Sequence, residues 1–370
     1  MVVLNIELDN IYAFKNFQMN LTYPKKIVDS SIEDEHLAGR SNFRYKKVNI
    51  IMGANASGKT TFGRAMMKIF NFIDKKNYKF LADIIGDTDK EASFVLDLAS
   101  DNYVLYRIAC TVTPTEGEKY TSENIHVDVR EAKILTRDSY ESCIKRMAEK
   151  EYFPAENYLD ELEKIGSLDW LFEYPDESGR MLNFPDNSKK FKSVLENILR
   201  ALDPSIQSVE ESKDVENTYV VRLQDKAVIL QNGEPFQTNM LSSGTKAGVG
   251  IAQFVASLMQ ERYSFYYCDE KFPYIHSDIE KAVLSLMIEY LRPNYQLFFT
   301  THNTDILDMN LPKHAFTFLR KNVNDEEHPI TCIDASSLLK RNTDSLKNAV
   351  ENDLFSTAPA VDLIYEIAGI

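Results

Sequence analysis

Gly53-Ala54-Asn55-Ala56-Ser57-Gly58-Lys59-Thr60 decides the reading of this chain. These residues fit the phosphate-loop pattern G-x-x-x-x-G-K-[ST] in full. The flanks agree with it. Val48–Met52 is a short apolar run ending at Gly53, the signature of a buried strand. Beyond the loop, Thr61–Phe72 has helical period, with Phe62, Ala65, Met66, Ile69 and Phe70 on one face. The chemistry requires these residue types. The glycines let the backbone curl so that successive N–H groups point at phosphate oxygens. The helix opened by Lys59, Thr60 and Thr61 adds the partial positive charge of its N-terminus. Lys59 places an ammonium on the phosphates, and the Thr60 hydroxyl is a ligand for Mg²⁺. A chance match in a glycine-containing loop is outweighed by the two correct flanks.

A phosphate loop alone does not choose among ATPases, GTPases and kinases. Downstream, Ser264–Cys268 reads as an apolar strand that ends in Asp269-Glu270. A carboxylate at the end of a parallel strand lies at the ligand-binding edge of its sheet. Asp269 is placed to hold Mg²⁺ and Glu270 to polarise an attacking water. Taken alone, such a pair is more often a solvated loop; the phosphate loop upstream favours the functional reading. Leu241-Ser242-Ser243-Gly244-Thr245-Lys246 opens a further helix, with Ser242 or Ser243 as N-cap. Thr300-Thr301-His302-Asn303 ends the next strand. In isolation, the former is only a capped helix and the latter only a structural histidine.

In this order the four segments resemble the Walker A, signature, Walker B and H-loop elements of the ATP-binding-cassette (ABC) ATPase superfamily. The fold this resemblance implies is α/β: a P-loop ABC ATPase head with a mixed or parallel core sheet, an antiparallel β subdomain and a helical insertion. It further implies two heads packed head to tail around ATP and Mg²⁺. Ser242, Ser243, Gly244 and Lys246 of one head would then reach the ATP held by Gly53–Thr61 of the other. His302 would contact the γ-phosphate beside the catalytic Glu270. The opening Ile6–Phe17 and Asn55 look like the non-transporter branch, which includes the structural-maintenance-of-chromosomes (SMC), recombination-repair and OLD-like ATPases, as does His276 six residues after Glu270. Phe318-Leu-Arg-Lys-Asn, Arg341-Asn-Thr-Asp-Ser-Leu and Asp353-Leu-Phe look like the compact ATPases of bacterial antiphage and abortive-infection systems. Those usually act with a separate effector, a nuclease or toxin. The sequence departs from the superfamily in two ways. Ser243 stands where glycine is common, and no glutamine lies between Thr60 and Pro204 to serve as the Q-loop ligand.

Working outward, Val2–Phe17 reads as strand, turn, strand, and Phe94–Leu98 with Tyr103–Thr111 as a hairpin. Residues 1–135 form the expected N-terminal lobe and 136–204 the helical insertion, interrupted by Pro154, Gly166, Pro175 and Pro185. The remaining 205–370 form a C-terminal lobe whose strand–helix–strand order requires a parallel sheet covered on both faces. Tyr12, Phe14 and Phe17 are aromatic candidates for adenine contact, but read better as core.

The 370 residues carry a net charge of −14, with 44% apolar and 26% charged side chains. That composition excludes disordered and collagenous chains. No apolar run approaches the roughly 20 residues of a membrane span. The acidic balance argues against coating nucleic acid by bulk charge. Residues 1–80, however, hold 13 basic and 7 acidic side chains, an asymmetry that hints at a local anionic ligand. Arg40, Arg44, Lys46 and Lys47, or Lys75, Lys76 and Lys79, are the basic patches through which DNA contact would run. Four cysteines without C-x-x-C spacing, and no basic or apolar leader at Met1, lead to the expectation of a reducing, cytoplasmic setting. Glu156, Asp160, Glu161 and Glu163 read as a solvated helix face, so any nuclease chemistry is expected in a partner. Three functions stay open: an ATP-driven dimerising switch that controls an effector, the ATPase subunit of a transporter, and a scaffold that ATP holds together without hydrolysis.

Overall fold

The computed structural model describes all residues except 28–29, 116–118, 176–187, 232–233, 236–240, 342–343, 358–361 and 368–370. Pro185 and the Asn-Thr pair at 342–343 lie outside the described residues. The chain divides into two compact units, Met1–Trp170 with Pro293–Ile370, and Leu171–Arg292.

The first unit opens with β1 (Val2–Asp9), β2 (Phe17–Asn20), the short β3 (His36–Leu37) and β4 (Arg40–Arg44), and β5 (Val48–Met52). Helices α1 (Lys59–Lys75) and α2 (Lys79–Ala82) follow, then β6 (Ala92–Ala99), β7 (Val104–Val112) and β8 (Ile125–Lys133). Helices α3 (Tyr140–Ala148) and α4 (Tyr158–Glu163) come next. An antiparallel sheet of order β2-β1-β6-β7-β8 forms the expected β subdomain. Strand β8 alternates buried and exposed residues, because one face meets the core and the other water. The stretch Asn10–Asn16 is a tight loop rather than strand, with Asn10, Tyr12 and Asn16 at positive φ. The Asn10 amide pins it by donating to the carbonyls of Asp87, Lys90 and Glu91.

The second unit starts within β9 (Trp170–Glu173), at Leu171, and runs on to α5 (Ser188–Leu202). It continues through β10 (Ile206–Glu211), β11 (Thr218–Leu223), β12 (Ala227–Gln231) and β13 (Glu234–Pro235), which form an antiparallel sheet in that order. It ends with α6 (Ser243–Met259), β14 (Phe265–Asp269), which lies beside β9, and α7 (Ser277–Glu289). The unit boundary falls within residues 136–204, the stretch expected as one insertion, and β9 is a strand inside it.

The chain then returns to the first unit with β15 (Gln296–Thr300), β16 (Phe316–Lys321), β17 (Ile330–Asp334), α8 (Ala335–Leu338), α9 (Leu346–Glu351) and α10 (Asp362–Glu366). Strand β5 is central, parallel to β15 on one side and to β16 on the other. All five residues of β5 are buried, so its run is continuously apolar except at Asn49. That amide oxygen is satisfied inside the core, 2.6 Å from the donating Thr317 hydroxyl. Strand β17 pairs antiparallel with β16, so this sheet is mixed. The short connection between them reverses direction as a hairpin does, whereas parallel pairing needs a longer crossover.

Two sequence expectations are corrected here. Glu161 is not on a solvated face: it is fully buried and accepts from Val129 N at 2.8 Å, Ala155 N at 2.7 Å and Lys164 Nζ at 2.7 Å. Asn157 caps its helix α4, and the partners that meet Glu161 include the Val129 amide of β8. Nor is 40–47 a free basic patch. Lys46 is buried in an ion pair with Asp334, Lys47 is buried and donates to Glu33 O, and Arg40 stacks on Tyr103.

Candidate functional site

The phosphate loop leaves β5 at the carboxyl end of the parallel strands. A Cβ on Gly53 would collide with the Leu319 carbonyl oxygen and sit 2.6 Å from Ser57 Oγ, so only glycine fits there. Ala54 O accepts from Ser57 N at 3.1 Å, which closes the loop as a turn. Ala56 at φ 62° and Gly58 at φ 104° then occupy the left-handed region. Asn55 and Ala56 form the exposed tip. Lys59 is buried, and its ammonium donates inward to Gly53 O at 2.9 Å and to Ala54 O at 3.4 Å. Thr60 and Thr61 occupy the first turn of α1 and are half-buried.

Helix α1 carries no side-chain cap and no acidic residue in its first turn. The positive end of its dipole is therefore not offset by a capping side chain or a carboxylate of its own first turn. Ser57 Oγ is buried without a hydrogen-bond partner. An orphaned donor, an uncapped helix of this length and a glycine that brings backbone into close approach fit a bound polyphosphate. Phe14 supports the loop from beneath, its ring 3.5 Å from a Cβ built on Gly58. Phe14 and Phe17 are fully buried against Phe62, as core residues should be. Tyr12 is half-buried, and desolvation raises its phenol above the ordinary value despite Lys68 and Arg64 nearby.

His302 follows β15 at the same sheet edge. Register places Thr300 opposite Ile51, and Thr301 N donates to Ile51 O at 3.2 Å. His302 and Gly53, Ala54 and Asn55 line one cavity of about 620 Å³, so the structure brings these segments together. Sequence reasoning did not find the rest of its wall. Phe318 comes from β16, and Val350, Glu351 and Thr357 come from the C-terminal segment. Phe355 holds that segment by stacking on Phe318, with centroids 3.9 Å apart.

The remaining predicted residues lie in the second unit. Ser242 caps α6: its Oγ accepts from Thr245 N at 3.1 Å and lies 2.7 Å from Thr245 Oγ1. Ser242, Ser243 and Lys246 are exposed around that helix start. Gly244 sits in a close approach, where a Cβ would lie a tight 3.1 Å from Tyr274 O. Asp269 is fully buried at the end of β14, and Glu270 follows at φ 39°. A left-handed glutamate costs of order 1–3 kcal/mol, a strain that collects at functional sites. His276 caps α7, accepting at Nδ1 from Asp278 N at 3.2 Å. Among the described residues no group of three or more His, Cys, Asp or Glu side chains could hold a metal ion unaided. None is required for an ion that shares its ligands with phosphates. Also among the described residues, no helix is long and apolar enough to cross a membrane.

No protein-family model and no curated protein matches the sequence. The solved structures give a clear likeness instead. An Smc head bound to the C-winged helix domain of ScpA superposes with a TM-score of 0.51 at 14% identity, covering 92% of this chain and 100% of that one. A Pyrococcus furiosus Smc head with an extended coiled coil gives 0.49 at 13%, covering 91% and 98%. The recombination mediator protein RecF gives 0.44 at 9%, covering 90% and 97%. At these identities the likeness is one of fold, carried by the first of the three. The chain has a mixed α/β fold similar to that of the Smc head.

Proposed function

We propose that this chain binds ATP with Mg²⁺ and hydrolyses it, and that ATP drives two copies together head to tail. The observation that carries the proposal is the preformed phosphate loop: a buried Lys59, an orphaned Ser57 hydroxyl and an uncapped α1, with Gly53, Ala54 and Asn55 of the same loop lining a cavity with His302. The Lys59 ammonium donates to two loop carbonyls. With nucleotide bound it would turn to phosphate oxygens, and the α1 amides would donate to the same anion. Thr60 and Asp269 are the assigned Mg²⁺ ligands, and the ion would neutralise charge on the phosphates. Glu270 is assigned the role of general base for the attacking water, and His302 that of hydrogen-bond donor to the terminal phosphate. Ser242, Ser243, Gly244 and Lys246 are assigned to the ATP of a second copy. Their exposure around an α-helix start supports that role, since such a position attracts anions.

Control of a separate effector, in antiphage defence, completes the proposal. One support is that a head of this fold has been solved bound to a domain of a separate protein, ScpA. The ATP-binding core of the proposal is tested with Lys59→Ala. Losing a charged hydrogen bond costs about 1.5–3 kcal/mol, so affinity for a fluorescent ATP analogue should fall about 10- to 150-fold. Wild-type protein that fails to bind the analogue with Mg²⁺ at millimolar concentration overturns the proposal.

A further inference from the structure

A buried ion pair in the second unit lies directly beside the assigned base. Lys271 follows Glu270, and its Nζ is 3.1 Å from Glu173 Oε2, with both side chains only 8% exposed. Glu173 is the last residue of β9, which lies beside β14. The Lys271 ammonium also rests against α6, 3.6 Å from a Cβ built on Gly250. One side chain thus ties together the loop after β14, the neighbouring strand and the helix that Ser242 opens. Glu270 itself is held at φ 39°, a conformation that relaxes unless its surroundings fix it. Two charges taken out of water are an expensive way to fill core, and an apolar pair of similar volume is often equally stable. The charge pair therefore calls for an explanation other than stability.

We propose that Glu173 and Lys271 are positioning residues that hold the Glu270 turn in register with α6. The assignment rests on the reading of Glu270 as the base of an ATPase. Glu173 and Lys271 need touch neither nucleotide nor water to act in this way. They fix the backbone from which Glu270 projects, and a displacement near 1 Å at a reacting group can cost about 100-fold in rate.

The test uses the full chain with Glu173→Leu/Lys271→Met, which removes both charges and keeps apolar volume. Steady-state ATPase, binding of a fluorescent ATP analogue and amide hydrogen exchange over 269–276 are compared with wild type. A structural role alone leaves kcat at the wild-type level in a variant that melts normally. A positioning role lowers kcat about tenfold or more with nucleotide affinity held within about threefold. It also speeds exchange after Glu270 about tenfold, as a tethered turn opens locally. Lys271→Arg, which keeps the pair, should rescue most of kcat. If the double variant fails to fold, Glu173→Gln carries the same test, because it keeps shape and removes one charge. Unchanged kcat and unchanged exchange overturn the inference. Wild-type protein without ATPase activity overturns the proposed function instead, and the exchange experiment then still decides whether the pair tethers the turn.

Discussion

Gly53→Ala adds one methyl group to the loop, and the structure indicates its cost. An ordinary carbon–oxygen contact is about 3.3 Å or longer. The new Cβ would lie 2.6 Å from Ser57 Oγ and closer still to the Leu319 carbonyl oxygen. The serine hydroxyl has no partner and can rotate away at little cost. The carbonyl cannot, because it belongs to β16, which is locked to β5 with Phe318 opposite Met52. Overpacking costs about 1–3 kcal/mol, and a clash with backbone belongs at the upper end. About 3 kcal/mol can be relieved in two ways. If the strands spread, the cost appears in unfolding and lowers the melting temperature by about 6–12 °C. If the loop moves instead, its amides lose their aim and affinity for ATP falls by about 100-fold. Scanning calorimetry without nucleotide and titration with a fluorescent analogue read the two parts separately. A variant that melts within 1 °C of wild type and binds within about twofold refutes the reasoning, since neither route would then have absorbed the clash.

Three further outcomes follow from the same structure. Ser242→Arg should bind ATP as wild type does but lose turnover, because the long side chain would block the exposed helix start; undiminished multiple-turnover hydrolysis would remove Ser242 from the site. Glu270→Gln should slow single-turnover hydrolysis by about 10²–10⁴ while leaving binding intact, and an unchanged rate would mean that the base lies elsewhere. For acid stability, burial raises the Asp138 carboxyl, but hydrogen bonds from Arg146, the Leu135 amide and Cys143 outweigh it and hold it below the usual range. Its folded value is depressed, so its contribution is present above the ordinary carboxylate value and lost as pH falls through the depressed one. Wild type should therefore lose more stability than Asp138→Asn between about pH 5 and pH 3 in urea titrations; parallel curves would count against this pairing.

The parts of the molecule legible in the sequence are those whose physics is local. The phosphate loop is one contiguous run, and β5 and α1 beside it declare themselves by continuous and periodic apolar residues. Helix α6 begins at Ser243 because Ser242 caps it, a signal confined to four residues. Non-local facts escaped. Val350, Glu351 and Thr357 reach the cavity from nearly 300 residues beyond the loop, with no pattern that marks them, and nothing in the run that begins at Phe318 marks that residue as a cavity wall. Glu161 sits in an acidic helix that resembles a solvated face, and only β8 supplies the Val129 amide that draws it inside. Lys46 and Lys47 appear as a basic run, yet Asp334 and Glu33 consume them. The Glu173–Lys271 pair joins residues about a hundred positions apart, and neither carries a motif.

The central position of β5 also bears on how the protein is made. Its two neighbours, β15 and β16, begin at Gln296 and Phe316, some 250 residues downstream. Gln296 further closes the sheet by donating to Val3 O and Lys46 O. During synthesis the Gly53–Thr60 segment therefore leaves the ribosome long before the strands that shape it exist. Contacts of such sequence separation form late and slowly. On the proposed function, the nascent chain cannot shape a nucleotide site until β15 and β16 have both been synthesised.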